Sequence, residues 1–218
     1  NYPVSRREKR VGRTVSKQGN KAVRVLIGCE ESQAVCKAFR AKGHEAYSCD
    51  LLDCSGGHPE WHIKGCVLGV IAKGWDLIIL HPPCTALAVS GNAWYGEGMA
   101  KNNQRIQSKK WTVNLWNKAK KNAEKVAMEN PVGVLTQILG KPNYVQPWQF
   151  GHPESKKTGL WLYNLPELKP TNDVYQEFKS LPKNRAQRLH YLPPSKDRAK
   201  IRSKTFTGIA KAMAEQWG

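Results

Sequence analysis

Residues 23–50 restrict the possible folds of this chain more than any other segment. Residues 23–27, apolar except for Arg24, predict a strand, residues 30–42 carry a helical pattern, and residues 45–49 predict a second strand that Asp50 ends. This order is a β-α-β unit, in which two parallel strands are joined and covered by a helix. The sequence therefore predicts an α/β fold with a mostly parallel central sheet.

The first turn and the acid after the second strand of this unit indicate a site for a nucleoside-containing cofactor. The first turn of such units cradles the ligand, and an acid about 20 residues on bonds the ribose hydroxyls. Asp50 stands in that place, although an ordinary acid at a strand end is the alternative. The turn Gly28–Ser32 is not glycine-rich, and Glu30 and Glu31 would repel a pyrophosphate. Two carboxylates suit a cationic cofactor such as S-adenosylmethionine, which carries an ammonium and a sulfonium.

A cysteine follows the next apolar run. Residues 77–80 predict a short buried strand, and His81-Pro82-Pro83 ends it because consecutive prolines neither continue a ladder nor readily start a helix. Cys84 then lies at a strand's carboxyl end, where ligands gather in open α/β sheets. The residues alone leave two interpretations open, a nucleophile held by a rigid turn and a buried structural cysteine.

A carboxylate is predicted at the same edge of the sheet. Residues 124–128 predict a further strand, which ends in Glu129-Asn130-Pro131. The thiol of Cys84 and the carboxylate of Glu129 therefore project from neighbouring strand ends. A nucleophile and an acid beside a cofactor site form a catalytic constellation.

The charge balance favours a polyanionic partner. Lysine and arginine number 35 against 17 acidic residues, giving a net charge of +18, so nucleic acid is the first candidate and an anionic membrane surface the second. Residues 1–22 form a basic arm, interpreted either as a nucleic-acid contact or as a solvated tail. Residues 102–122 predict a long basic helix, either a packed crossover helix or a recognition helix.

The six cysteines all fall in the first half of the chain and do not suggest a disulfide framework. Nothing near Asn1 resembles a signal peptide, and no apolar run approaches the length of a membrane span. We therefore expect a cytoplasmic protein with reduced thiols and no membrane association. The cysteines and histidines of residues 49–66 match no standard zinc spacing, so no metal site is predicted, and Trp61 and Ile63 are expected to pin this loop to the core.

Several motifs in order resemble the DNA cytosine-5 methyltransferases, and most of all their short phage-type branch. They are IGCEES at 27–32, SCDL at 48–51, DLIILHPPC at 76–84 and MENP at 128–131. The RSKTFTGIA stretch at 202–210 resembles the closing motif of that family, which completes the cofactor pocket. The QFGHPESKKTG stretch at 149–159 resembles the phage-type form of a strand that faces the substrate base. The matching stretches cover about residues 25–165 and 190–217.

The resemblance implies a Rossmann-like S-adenosylmethionine-dependent methyltransferase fold. Its catalytic domain would comprise residues 23–165 and 203–218. Residues 166–202 would form a short basic insert where larger family members carry a recognition domain, so that domain is minimal or absent. Specificity would then be low, directed to a short sequence, or supplied by a partner protein.

The resemblance also assigns roles to residues. Cys84, as a thiolate activated by an electropositive, partly exposed site, would add to C6 of cytosine, and Glu129 would supply a proton or hydrogen bond at N3. Asn130 and the backbone of Pro83 would hold the geometry. The cofactor would contact a set of residues in five segments, namely Gly28, Cys29, Glu30, Ser32, Asp50, Leu51, Cys66, Pro82 and Gly208.

The chain departs from the family at the substrate-facing strand and at Cys66. Many relatives carry an adenine-binding acid at the position of Cys66, and the family's Gln-x-Arg-x-Arg strand is missing here. His152 and Lys156 are the candidates to contact the base O2 or the phosphates. Trp94 in the loop after Cys84 would either wedge into the base stack or pack the loop down.

The function implied is S-adenosylmethionine-dependent methylation of cytosine C5 in DNA, with the target base flipped out of the duplex. Such an activity belongs to DNA methylation and to restriction-modification, and a phage-encoded enzyme would act in the host cytoplasm. Methylation of RNA cytosine is one alternative. A catalytically silent DNA-binding protein with the same fold is the other.

Overall fold

The computed structural model describes residues 21–218, so nearly all of the basic arm predicted at 1–22 lies outside the described residues. Seven strands of the described chain form one sheet. They are β1 Arg24–Gly28, β2 Glu45–Asp50, β3 His62–Lys64, β4 Leu77–Leu80, β5 Lys125–Pro131, β6 Asn143–Val145 and β7 Thr158–Tyr163.

The strand order is β3-β2-β1-β4-β5-β7-β6. The first five strands are parallel, whereas β7 runs antiparallel to both β5 and β6. In the parallel part, Gly28 lies opposite Cys49 on one side and Leu80 on the other, and Leu80 lies opposite Met128. The carboxyl ends of four strands therefore meet at one edge, here called the rim.

Helices cover both faces of the sheet. They are α1 Ala34–Ala41, α2 Asn92–Tyr95, α3 Asn102–Asn122, α4 Thr136–Leu139, α5 Tyr175–Ser180, α6 Lys183–Ala186, α7 Arg188–Tyr191, α8 Arg198–Ser203 and α9 Thr207–Trp217. Short 3-10 turns occupy Pro59–Trp61, Val67–Gly69, Val89–Gly91 and Pro147–Gln149.

Alternate residues of the central strands face two hydrophobic clusters, as the two-residue period of a strand requires. On one face, Val25, Ile27, Leu77 and Ile79 pack with α1 and α9. On the other face, Leu26, Ile78, Leu80 and Met128 pack with Leu115, Trp116 and Ala119 of α3. The interpretation of residues 102–122 as a packed crossover helix between two strands is therefore confirmed. Trp61 and Ile63 pack against the two clusters, also as expected.

The helix predicted at residues 30–42 is shorter, because α1 begins at Ala34. The preceding residues form a turn in which Cys29 and Gln33 adopt positive φ angles of 60° and 58°. The carboxylate of Glu30 folds back and accepts hydrogen bonds from the amides of Val35 and Cys36, at 2.7 and 3.2 Å. Glu30 is thus a capping residue outside the helix, which satisfies two of its unpaired amides.

The strand predicted at residues 124–128 is longer, because β5 continues through Glu129 and Asn130 to Pro131. Its parallel neighbour ends opposite Met128, but the antiparallel β7 pairs with the three further residues. Glu129 therefore stands on a strand that extends past the parallel part of the sheet. This extension gives its side chain a fixed direction at the rim.

The predicted insert, residues 166–202, contains short helices, α5 to α7 and most of α8. Leu168 is buried in the cluster beneath α9, and the indole of Trp217 donates to the carbonyl of Pro166 at 3.1 Å. The insert is therefore anchored to the sheet domain at its start. Within the described part of the chain, no helix is both long and apolar enough to span a membrane. The whole arrangement is a mixed α/β, Rossmann-like fold with a seven-stranded, mostly parallel sheet.

Candidate active site

The loops that follow β4 and β5 are joined at the rim by several hydrogen bonds. The side-chain amide of Asn130 donates to the carbonyl of Pro82 at 3.0 Å. The amide of Val89 donates to Val132, and that of Val134 to Leu87, at 3.0 and 2.9 Å. These bonds hold the loop that carries Cys84 against the end of the strand that carries Glu129.

Two further residues, which the sequence analysis missed, fix the loop after Cys84. A Cβ atom at Gly133 would collide with the carbonyl oxygen of Leu87, so only glycine allows this close approach. Arg105 of α3 is buried, and its guanidinium donates to the carbonyls of Ala86 and Ala88. By donating to these backbone carbonyls, the buried arginine holds the loop in place. The sequence did not indicate this role, because Arg105 is one of many polar residues in its helix.

Cys84 is partly buried at the rim. Burial and the nearby charge of Glu129 raise the pKa of its thiol, and the charges of Lys156 and Arg202 only partly oppose that shift. The expectation that an electropositive site activates the thiol is therefore wrong for the protein without substrate. The cations are present, but desolvation and a carboxylate outweigh them.

Glu129 is nearly buried, with 14% of its side chain exposed, and the Nδ1 atom of His81 lies 3.6 Å from its Oε2 atom. Burial alone would raise the pKa of Glu129. Contacts with His81 and the charge of Lys156 outweigh burial and hold the pKa below its ordinary value. Cys84, Glu129 and Lys156 thus form one electrostatic group at the rim, and His81 belongs to it as well.

The turn after β1 lies beside this group. Glu30 caps α1, so its carboxylate is turned toward that helix, and burial raises its pKa. Both carboxylate oxygens of Glu31 are buried without a hydrogen-bond partner in the described structure, and Nζ of Lys200 lies 3.9 Å from one of them. A buried carboxylate with unfilled acceptor positions can receive a cationic ligand.

Asp50 ends β2 on the other side of this turn. One of its carboxylate oxygens accepts the amide of Leu52 at 2.9 Å, and the next residue, Leu51, is 71% exposed. Cys66 is exposed, and both Cys66 and Asp50 are close enough to Cys29 to interact with it electrostatically. Burial, followed by the charge of Asp50, raises the pKa of Cys29 to about 12. The turn thus offers carboxylates and apolar surface but no reactive thiolate at Cys29.

Gly28 and Gly208 have packing roles. A Cβ atom at Gly28 would meet side-chain carbons of Val67 and Leu80 at 2.6 and 2.9 Å, and one at Gly208 would collide with the carbonyl of Phe150. Gly208 therefore permits the start of α9 to approach the Phe150 backbone.

His152 is tied to the same helix start. Its Nε2 atom accepts the amide of Gly208 at 3.0 Å, and burial lowers its pKa. Lys156 instead lies with Cys84 and Glu129, and its ammonium donates to the carbonyl of Lys204 at 3.1 Å. Of the two candidates for substrate contacts, Lys156 is the one in the rim group, whereas His152 joins the segment at 149–159 to α9.

Trp94 lies on α2 with 66% of its surface exposed. Its partner in the described structure is the ammonium of Lys101, 5.9 Å from the ring centroid. The polar residues of the loop at 49–66 are bonded among themselves: His62 contacts Ser48 Oγ and the carbonyl of Leu52 at 2.8 and 2.9 Å. Among residues 21–218, no cluster of three or more His, Cys, Asp or Glu side chains is placed to hold a metal ion.

No protein-family model and no curated protein matches the chain. Among solved structures, the Entamoeba histolytica methyltransferase EhMeth is similar, with 13% sequence identity and a TM-score of 0.47. The match covers 71% of this chain and 58% of EhMeth, so this chain spans less than two thirds of that protein.

The structure therefore divides the predicted residues into groups. Cys84, Glu129 and Lys156 interact at the rim, and Asn130 bonds to the backbone of the turn formed by Pro82 and Pro83. Cys29, Asp50 and Cys66 form a second group at the turn Gly28–Ser32, here called the cofactor turn because the sequence predicts that it holds the cofactor. His81 was quoted in a motif but given no role by the sequence, and it contacts the first group and influences Glu30 of the turn.

Proposed function

We propose that this protein transfers a methyl group from S-adenosylmethionine to C5 of a cytosine in DNA. The observation that carries the proposal is the pairing of Cys84 with Glu129 at the rim, in a loop and a strand joined by the bond from Asn130 to Pro82. A thiol nucleophile and a carboxyl group that can reach one base are what addition across the C5–C6 bond requires. The fold supports the proposal because chemistry in such sheets occurs at this edge.

The cofactor turn fits a cationic nucleoside. Asp50 would bond the ribose hydroxyls, the exposed Leu51 would cover the adenine, and the unfilled Glu31 carboxylate would face positive charge. S-adenosylmethionine supplies an electrophilic methyl group when it is bound. The residues of this chain hold and orient the reactants and move the protons.

In the proposed reaction, Cys84 adds to C6 and Glu129 protonates or hydrogen-bonds N3, so that C5 becomes nucleophilic. Because the pKa of the thiol is raised, Cys84 must give its proton to solvent as the base enters rather than before. Lys156 and Arg202 oppose the unfavourable charge of Glu129 and therefore favour the thiolate. Once C5 has accepted the methyl group, a base removes the C5 proton. The electron pair of that C–H bond re-forms C5=C6 and expels Cys84 as a thiolate, which takes up a proton from solvent.

DNA is the proposed partner because cations line one side of this site. Lys156 and Arg202 interact with Cys84, and Lys200 and Lys204 flank Arg202 on the same short segment. This segment belongs to the insert and the closing motif, so phosphate contacts and substrate entry would share one element. The target base would have to leave the stack to reach Cys84.

The decisive experiment incubates the protein with methyl-labelled S-adenosylmethionine and duplex DNA, single-stranded DNA or tRNA, followed by digestion to nucleosides. We expect labelled 5-methylcytosine from DNA with the wild-type protein and none with Cys84→Ser, which should still bind the cofactor. Cys54→Ser is the matched control, because that cysteine is also partly buried but lies outside the rim group. Full activity of Cys84→Ser would exclude the covalent mechanism.

The same experiment tests the alternatives. Label found only in tRNA would replace DNA by RNA as the substrate. DNA binding without label in any substrate would indicate a catalytically silent protein.

The partner is tested by the salt dependence of DNA binding. The slope of log affinity against log salt is negative, and each lost phosphate contact reduces its magnitude by about 0.9. Replacing Arg202 and Lys204 by Gln should therefore make the slope less steep by about 2 units. Lys118→Gln with Lys121→Gln, near the end of α3, is the control, because α3 ends at the opposite edge of the sheet, before β5 begins. Equal slopes for both double variants would remove α8 and its neighbours from the DNA contact.

A further inference from the structure

His81 is the last residue before the two prolines, and both its backbone and its side chain make contacts that fix its position. Its backbone amide donates to the carbonyl of Gly28 at 2.9 Å, which fixes it against the cofactor turn. Its Nδ1 atom lies 3.6 Å from Oε2 of Glu129, and only 9% of its side chain is exposed. The imidazole of His81 therefore lies against the carboxyl group that is proposed to contact the target cytosine, and it is shielded from solvent.

The other ring nitrogen of His81 is buried and has no hydrogen-bond partner within residues 21–218. The groups that face the ring are carboxylates from two different elements, Glu129 on β5 and Glu30 in the turn before α1. Burial raises the pKa of Glu30, and a positive charge on His81 opposes that shift. Lys156 influences Glu129 in turn, and Glu129 influences Cys84.

The ionised form of Glu129 is unsuited to the addition step in two ways. First, its pKa is held low, so at neutral pH the carboxyl group has no proton to give to N3 of the base. Second, its negative charge raises the pKa of Cys84 and so disfavours the thiolate. One proton delivered to Glu129 would remove both obstacles, and a histidine can hold a proton near neutral pH.

We propose that His81 is a positioning residue that shares one proton with Glu129, and this rests on the proposed cytosine methylation. The thiolate electron pair of Cys84 forms the bond to C6. The C5=C6 pair becomes C4=C5, and the N3=C4 pair becomes a bond from N3 to a proton delivered by Glu129. His81 replaces that proton on Glu129. The C4=C5 pair then forms the bond from C5 to the methyl group. A base takes the C5 proton, and the electron pair of that bond re-forms C5=C6 and expels Cys84 as a thiolate. The proton on N3 returns through Glu129 to His81, so the pair ends each cycle as it began.

The pair can be tested without any activity, by NMR of the labelled Glu129 carboxyl carbon as a function of pH. In His81→Gln, which can still hydrogen-bond but carries no titratable proton, the Glu129 carboxyl should titrate about one pH unit higher than in the wild type. His44→Gln is the control, because His44 is equally buried but precedes β2 at the opposite edge. An unchanged Glu129 titration in His81→Gln would overturn the pair.

The proton role is tested by the pH profile of kcat/KM for DNA methylation. The wild-type kcat/KM should stay high into the neutral pH range. The apparent pKa of its pH profile should belong to the pair of His81 and Glu129. His81→Gln should lose about 10-fold at pH 8 and recover as the pH falls toward 6, because Glu129 alone keeps its proton only at lower pH. Cofactor affinity should change less than about 2-fold, since His81 acts through Glu129.

A loss of the same size at every pH would assign His81 to packing and overturn the proton role. If the wild type methylates no cytosine, the proposed function fails and the catalytic role fails with it. The carboxyl titration then still decides whether the two residues share a proton.

Discussion

The side-chain amide of Asn130 donates a hydrogen bond of 3.0 Å to the carbonyl oxygen of Pro82 and thereby joins β5 to the turn before Cys84. Asn130 is 1% exposed, and its side-chain oxygen, Oδ1, has no hydrogen-bond partner in the described structure. A buried amide with an unfilled acceptor costs free energy of folding. Such a group beside a reactive side chain is explained when its position serves the site. We interpret the bond as the contact that sets the distance between thiol and carboxyl group.

Asn130→Ala should therefore reduce both stability and turnover. Loss of a buried hydrogen bond that leaves the Pro82 carbonyl unpaired costs about 1–3 kcal/mol of unfolding free energy, measurable by denaturant titration. The value of kcat should fall more than KM rises, because the cofactor turn is not altered. Asn122→Ala removes a similar amide-to-carbonyl bond on the exposed end of α3 and should change stability by less than about 0.5 kcal/mol. Equal effects of the two variants would contradict this role.

The central elements could be predicted because local pattern and tertiary packing agree there. The hydrophobic run and the prolines after it predict the observed bounds of β4. The amphipathic period predicts the observed bounds of α3. The start of α1 could not be predicted, since Glu30 caps the helix only after the chain adopts two positive φ angles. The end of β5 depends on β7, which lies about 30 residues away in sequence.

The part of the site that could be predicted from the sequence is the part built where the strand ends converge. Cys84 and Glu129 follow two neighbouring parallel strands, so their common edge follows from the topology. Arg105 and Gly133 act through backbone contacts made by folded loops, and no local pattern marks them. The sign of the Cys84 pKa shift depends on burial, which a count of basic residues does not report.

Asp50→Asn should weaken S-adenosylmethionine binding by about 10-fold, because a hydrogen bond to a charged group contributes about 1.5 kcal/mol or more. Asparagine can keep the bond to the Leu52 amide, so the fold of the loop should persist. Calorimetric titration measures the change. Asp53→Asn, an exposed carboxylate paired with Lys64, is the control and should bind the cofactor as the wild type does. Unchanged affinity in Asp50→Asn would mean that Asp50 does not hold the ribose.

The reactivity of Cys84 should respond in opposite directions to its two neighbours. Removing the carboxylate in Glu129→Gln lowers the pKa of Cys84 and should raise its alkylation rate at pH 7, whereas Lys156→Gln raises the pKa and should lower the rate. Iodoacetamide labelling followed by peptide mass spectrometry resolves each cysteine. The exposed Cys66 is an internal control in every sample and should label at a constant rate. Changes of the same sign in both variants would refute the electrostatic account.

If the target base leaves the stack as proposed, Trp94 is suited to fill the space that it leaves. Its ring is 66% exposed on α2, in the loop that Arg105 and Gly133 fix behind Cys84. A side chain that only packed its loop would be covered, whereas one that enters a base stack must be open to solvent. The cationic Lys101 near the ring would also approach the phosphate backbone.

Trp94→Ala should therefore lower methylation of a paired duplex by at least about 10-fold more than methylation of a mismatched cytosine, since a mismatched base is cheaper to extrude. The comparison uses kcat/KM on two duplexes that differ only in the base opposite the target. Tyr163→Ala is the control, because Tyr163 is an exposed aromatic at the end of β7 opposite Val126, away from the rim. The wedge role is wrong if Trp94→Ala loses the same factor on both duplexes, because a packing defect does not depend on the pairing of the target base.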